Sequence, residues 1–311
     1  MFKNDTMQIS QPKTARKNFM IGVFILIISN MGFSTKAIII KLMYQYHVDT
    51  ISVLALRMLF SAPFYVGVLV WLSREKPRIP VKTNELWAVC GLGILSYYIS
   101  SMLDFLGLQY ISAGIERLIL FTYPTIVVLL SFVLFKKKIT PPQYFALILT
   151  YIGIAIAFIA EKGVGEQKNF IYGSVLIFCC AITFSFFVIG TGQLAQRVGT
   201  LKFTCYAVLA AAIPALIQSF VHNQLDIFHF PREVYVLSIW LAVVATVLPT
   251  FLIVKGISLV GASNSGIIGF VGPVWTIFLA HWLLNEPITP LQLLGTAIVL
   301  LGVLLISWKG K

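Results

Sequence analysis

Along the chain, apolar residues gather into ten runs of bilayer length separated by short polar stretches. They lie at about 19–42, 51–72, 86–108, 112–135, 142–160, 170–192, 202–221, 233–254, 261–284 and 290–308. None alternates polar and apolar residues over ten positions, as the strands of a membrane barrel do. In hydrocarbon a backbone polar group without a partner is prohibitively costly, so runs of this kind form helices. The pattern predicts an all-α polytopic membrane protein with ten transmembrane helices. Polar residues 1–18 precede the first run and 309–311 follow the last, while 161–169, with Gly163 and Gly165, link residues 19–160 to 170–308.

The two halves repeat. A shift of 149 residues carries Gly107, Ala113, Phe121, Pro124, Pro141 and Gly153 onto Gly256, Ala262, Phe270, Pro273, Pro290 and Gly302 without a gap. A shift of 151 pairs Gly22 with Gly173, Ser34 with Ser185 and Pro63 with Pro214. An odd number of helices per half makes the halves enter the membrane in opposite directions, as two inverted five-helix repeats. Such repeats rock about a site between them and give alternating access. Pro63, Pro124, Pro214, Pro249 and Pro273 fall inside the runs, and two pairs of them are repeat-equivalent. They are candidate hinges or kinks.

Composition excludes a water-soluble domain: 59% of residues are hydrophobic and 11% charged, where ordinary globular chains carry about one quarter charged. A net charge of +12 would suggest nucleic acid in a soluble chain, but here the basic residues lie mostly in loops and report orientation. Sixteen of the 23 Lys and Arg fall on one side of the predicted bundle, three (Lys162, Lys168 and Arg232) on the other, and four inside helices. The basic side is expected to be cytoplasmic, with both termini there and the chain spanning the plasma (inner) membrane. No nucleic-acid partner is expected. Cys90, Cys179, Cys180 and Cys205 lie in apolar runs without metal-binding spacing and read as reduced core residues. The first run lacks a cleavage pattern and is too long for a signal peptide, so it is expected to be retained.

Six ionisable residues interrupt the runs: Lys36 and Lys41 in the first, Arg57 in the second, Asp104 in the third, Glu116 and Arg117 in the fourth. Each costs about 2.5–3.5 kcal/mol at mid-helix on insertion scales. At a rise of 1.5 Å per residue, all of them lie within about 10 Å of the same non-cytoplasmic boundary. One cluster with a surplus of two positive charges is expected. Arg57 or Arg117 should pair with Asp104 and Glu116, because a guanidinium binds carboxylates bidentately, and the remainder would attract a substrate carboxylate or phosphate. The plainer alternative is snorkelling to the interface, easiest for Lys41 and Glu116 near helix ends.

Polar neighbours extend this candidate substrate or coupling site. Tyr97, Ser101 and Asp104 recur at i, i+4 and i+7; Glu116 and Tyr123 share a face of the fourth helix; Asn30, Ser34 and Lys41 lie close to one stripe of the first, with Lys36 flanking it; Asn264 and Trp275 share a face of the ninth. The repeat-equivalent positions Ile253, Ser265, Gly266, Phe187 and Val208 carry no charge, so the site is asymmetric. Gly266, Gly269, Gly272 and Trp275 are left to face an apolar substrate end or to let helices approach closely.

Residues 107–114 read Gly-Leu-Gln-Tyr-Ile-Ser-Ala-Gly and are followed by Pro124; Gly261-Ala262 with Pro273 is the second copy. That copy continues as Asn285-Glu286-Pro287-Ile288-Thr289-Pro290-x-Gln292-x-x-Gly295. In these segments, and in length, the chain resembles the ten-helix EamA-type members of the drug/metabolite transporter superfamily. It departs from them at Lys136-Lys137-Lys138, where their first half commonly has Glu, so that Glu survives only at Glu286. The resemblance implies a transporter of metabolites such as amino acids, nucleotide sugars or drugs, with neither cofactor nor enzymatic activity. Together with the surplus charge, the expected function is secondary transport of a small anionic or zwitterionic solute such as an amino acid. Asp104 or Glu116 is the candidate carrier of a coupled proton. The alternatives are an exporter of cationic or amphipathic drugs and an intramembrane enzyme. The latter is poorly served, because Ser263-Asn264-Ser265-Gly266 lacks the first glycine of the protease motif and His281 lies about 24 Å along the same helix.

Overall fold

A computed structural model describes residues 12–74, 81–136, 138–162, 169–223, 226–261, 265 and 268–308. Among them, eight helices are long and apolar enough to cross a membrane: α1 (Lys17–Gln45), α2 (Thr50–Arg74), α3 (Thr83–Leu108), α4 (Ala113–Phe135), α5 (Pro141–Glu161), α6 (Phe170–Val198), α7 (Thr200–His222) and α8 (Arg232–Val260). Two shorter apolar helices follow, α9 (Val271–Leu284) and α10 (Pro290–Leu305). The described residues contain no strand. The protein is an all-α polytopic membrane protein.

Packing has a two-fold character. α1 lies on α8 and α9 as α6 lies on α3 and α4, while α2 meets α7 and α5 meets α10. Exchanging α1–α5 for α6–α10 leaves these neighbours unchanged. Glycine sets the closest approaches: a Cβ on Gly22 in α1 would fall 2.7 Å from the Leu259 Cβ of α8, and one on Gly107 in α3 would fall 2.9 Å from the Gly173 carbonyl oxygen of α6. Gly22 and Gly173, like Gly107 and Gly256, are repeat partners, so one small-residue contact is built twice. Outward-facing Trp71, Trp87, Trp240 and Trp282 are all more than half exposed, as a lipid-facing surface requires.

Several spans are discontinuous, and the discontinuities also repeat. α3 carries a π-helical segment at Ile94–Ser100 and α8 one at Val243–Val247, starting at repeat-equivalent positions. α4 breaks at Phe121-Thr122 into Ala113–Leu120 and Tyr123–Phe135, and α9 starts after the equivalent Phe270. Lys136 and Asn285 close α4 and α9 in the left-handed region, at φ 54° and 55°. The prolines explain part of this. Pro63 and Pro214 lie inside continuous helices. Pro124 and Pro273 instead stand in the first turn of a segment that restarts, where the missing N–H is not needed, and Pro249 follows the π segment of α8 inside a continuous helix. Of the five candidate hinges or kinks, three lie within continuous spans and two at restarts.

Candidate functional site

Lys36 of α1, Asp104 of α3 and Glu116 of α4 meet in the interior. The Lys36 ammonium donates to Asp104 Oδ2 and lies 3.5 Å from Glu116 Oε1. Both carboxylates are buried, Glu116 completely. Neither oxygen of Glu116 has a hydrogen-bond donor, nor does Asp104 Oδ1. The guanidinium pairing expected from sequence is therefore corrected: the carboxylates belong to Lys36, because α1 lies against both α3 and α4.

Arg117, next along α4, reaches toward α9. A Cβ on Gly272 would lie 2.7 Å from its Nη2, and 3.2 Å from Ser34 Oγ. Its Nε is buried without a partner. This is also where the two breaks touch, the Phe121 and Phe270 rings being 6.0 Å apart. The Tyr123 ring stands edge-on to Phe184 at 5.2 Å, and the Tyr123 carbonyl accepts from Ser185. Ser34 donates to the Asn30 and Gly272 carbonyls, tying α1 to α9, while the Asn30 amide stays on its own helix at the Leu26 carbonyl. Trp275 stacks on Phe278, and its buried indole N–H lacks a partner. Asn264 and Gly266 lie outside the described residues.

Arg57 of α2 is 6% exposed and held by hydroxyls: Nε donates to Thr246 and Nη1 to Ser101, each at 3.0 Å, and the guanidinium lies 5.6 Å from the Phe105 ring centre. Thr246 passes the bond on to the Leu241 carbonyl. Sequence reasoning missed Thr246, although it is the repeat equivalent of Tyr97 and could have been found by that mapping. Tyr97 itself lies in the π segment, whose turn is wider than that of an α-helix, and its ring meets Phe187 edge-on.

Lys41, partly exposed, has a protein partner. Its ammonium is 3.0 Å from Glu286, whose two oxygens accept from the Ala113 N–H at the start of α4. Removing this pair leaves Lys36, Arg57 and Arg117 against Asp104 and Glu116, so the surplus is one positive charge and not two.

The profile of the EamA-like transporter family matches residues 20–159 and 171–308. An uncharacterized transporter of Bacillus subtilis, YcbK, is 29% identical over 281 residues, covering 88% of each chain. Another, sll1319 of Synechocystis, is 22% identical over 93% of this chain and 94% of its own. A crystal structure at 15% identity shares the fold, with a TM-score of 0.63 over 93% of this chain and 98% of that one. On the two matched stretches, which take in nearly all of the bundle, the protein belongs to the EamA-like transporter family of the drug/metabolite transporter superfamily, and is an integral multi-pass membrane transporter.

Proposed function

We propose that the protein is a secondary transporter of a small anionic or zwitterionic metabolite, amino acids being the foremost class. The observation that carries this reading is Arg117: a guanidinium set where the breaks of α4 and α9 meet, with Nε buried and without a partner. A guanidinium has donors only, so a substrate carboxylate is the complement it lacks. Broken helices at a repeat interface supply such sites in transporters, since backbone groups freed there can face the solute. The two-fold packing and paired breaks support alternating access between inverted repeats, residues 19–160 and 170–308, with Lys36, Arg57, Ser101 and Trp275 around the solute. The sixteen-to-three basic bias supports cytoplasmic termini in a plasma (inner) membrane.

A thermal-shift series on the purified chain tests the substrate class, because a ligand that binds only the native state raises its midpoint. L-amino acids or other carboxylates should raise it for the wild type and not for Arg117→Gln. Stabilisation by cationic drugs alone would overturn the reading in favour of a drug exporter. A reporter after Lys311 should label from the cytoplasm and one at Gly165 from outside; the reverse would overturn the topology.

A further inference from the structure

The Asp104, Glu116 and Lys36 group has an imbalance that transport of an anion does not explain. One ammonium serves two buried carboxylates, and three of their four oxygens lack a donor. Among the described residues, the other titratable groups near them have partners elsewhere: on α1 the Tyr44 hydroxyl donates to the Phe105 carbonyl. On α2 Arg57 is committed to Thr246 and Ser101; on α4 Arg117 turns toward Gly272; on α6 the Cys180 thiol is engaged with Ser100. α9 brings Gly272 and Thr276, whose hydroxyl bonds to the Gly272 carbonyl.

We infer that the Asp104–Glu116 pair is a proton-binding site, holding one proton that resides on Glu116 while Asp104 stays ionised on Lys36. A proton there relieves the repulsion of two buried negative charges over one ammonium. It also changes what the neighbouring site offers. With Glu116 ionised, Lys36, Arg57 and Arg117 exceed the carboxylates by one charge; with Glu116 protonated, they exceed them by two. Proton and anion then bind with positive coupling, and each raises the other's affinity by the same factor. The solute moves with a proton rather than against one. This rests on the anion reading only for its consequence; the proton site stands on the pair alone.

The test uses the full-length chain in nanodiscs without any solute, followed by pH-dependent infrared difference spectra. A protonated-carboxyl C=O band should appear on acidification of the wild type and be absent from Glu116→Gln. In Asp104→Asn, where Lys36 serves Glu116 alone, that band should move to lower pH or leave the titrated range. Isotope-labelled aspartate in the wild type should leave the band in place, which decides the assignment even if a variant fails to fold. A wild type without such a band, a band unchanged in Glu116→Gln, a band moved by aspartate labelling, or a shift to higher pH in Asp104→Asn would overturn the inference. Since no solute is present, those outcomes are independent of the thermal-shift series.

Discussion

Lys36 and Lys41 stand five residues apart on the same helix, yet they are held in opposite ways. Lys41 has one carboxylate, Glu286, about as solvent-accessible as itself, and that carboxylate is also satisfied by the Ala113 N–H. Lys36 has two carboxylates, almost wholly buried, with oxygens left over. The first arrangement clasps α1, the start of α4 and the segment after α9 together at one end of the bundle. The second is costly unless something else arrives to complete it, since buried charge is tolerated only when paired and hydrogen-bonded. Counting donors against acceptors thus separates two ion pairs of similar appearance into a satisfied structural tie and an unsatisfied buried cluster, the one proposed above as a proton site.

Removing the ammonium should break this contrast most sharply. Lys36→Met strands two buried carboxylates, and the loss expected is about 3–5 kcal/mol, enough to abolish folded yield in detergent. Adding Asp104→Asn and Glu116→Gln to Lys36→Met should restore much of the thermal midpoint while transport stays absent. If Lys36→Met folds as well as the wild type, the three groups do not form a coupled unit.

Arg57→Lys comes next. It keeps the charge but cannot reach Thr246 and Ser101 with one planar fork, and it gives up much of the contact with Phe105. A loss of about 2 kcal/mol in the unfolding free energy is expected. Thr246→Val should lower the midpoint through the same bond, and the combination Arg57→Lys with Thr246→Val should cost less than the two losses added. Strict additivity in that cycle would show that the bond contributes nothing.

Much of this was legible in the sequence because lipid imposes simple rules. Helix count, the repeat and the six charges within apolar runs follow from hydropathy and spacing. Partner choice was not legible. It depends on which helices pack together, and α1 lies against α3, α4 and α9 at once, which no periodicity in α1 reveals. Tyr97 shows a second reason: α-helical periodicity placed it with Asp104, but the π segment at Ile94–Ser100 changes the turn between them. The restarts at Pro124 and Pro273 escaped for a related reason, since a proline marks a weak point without saying whether the helix bends or begins again.

The smallest effects belong to the clasp. Lys41→Met should cost about 1 kcal/mol or less, and that cost should shrink as salt is raised, because the pair is partly exposed. Glu286→Gln isolates the charge from the hydrogen bond: its amide oxygen can still accept from the Ala113 N–H, while the attraction for Lys41 is gone. Its loss should match that of Lys41→Met, and the double variant should be no worse than either alone. Glu286→Ala should cost about 1 kcal/mol more, since the first N–H of α4 then loses its acceptor. Midpoints measured for all four variants at low and high salt distinguish the two contributions. If Glu286→Gln proves as damaging as Lys36→Met, the clasp and the buried cluster are a single network, and the contrast between the two lysines fails.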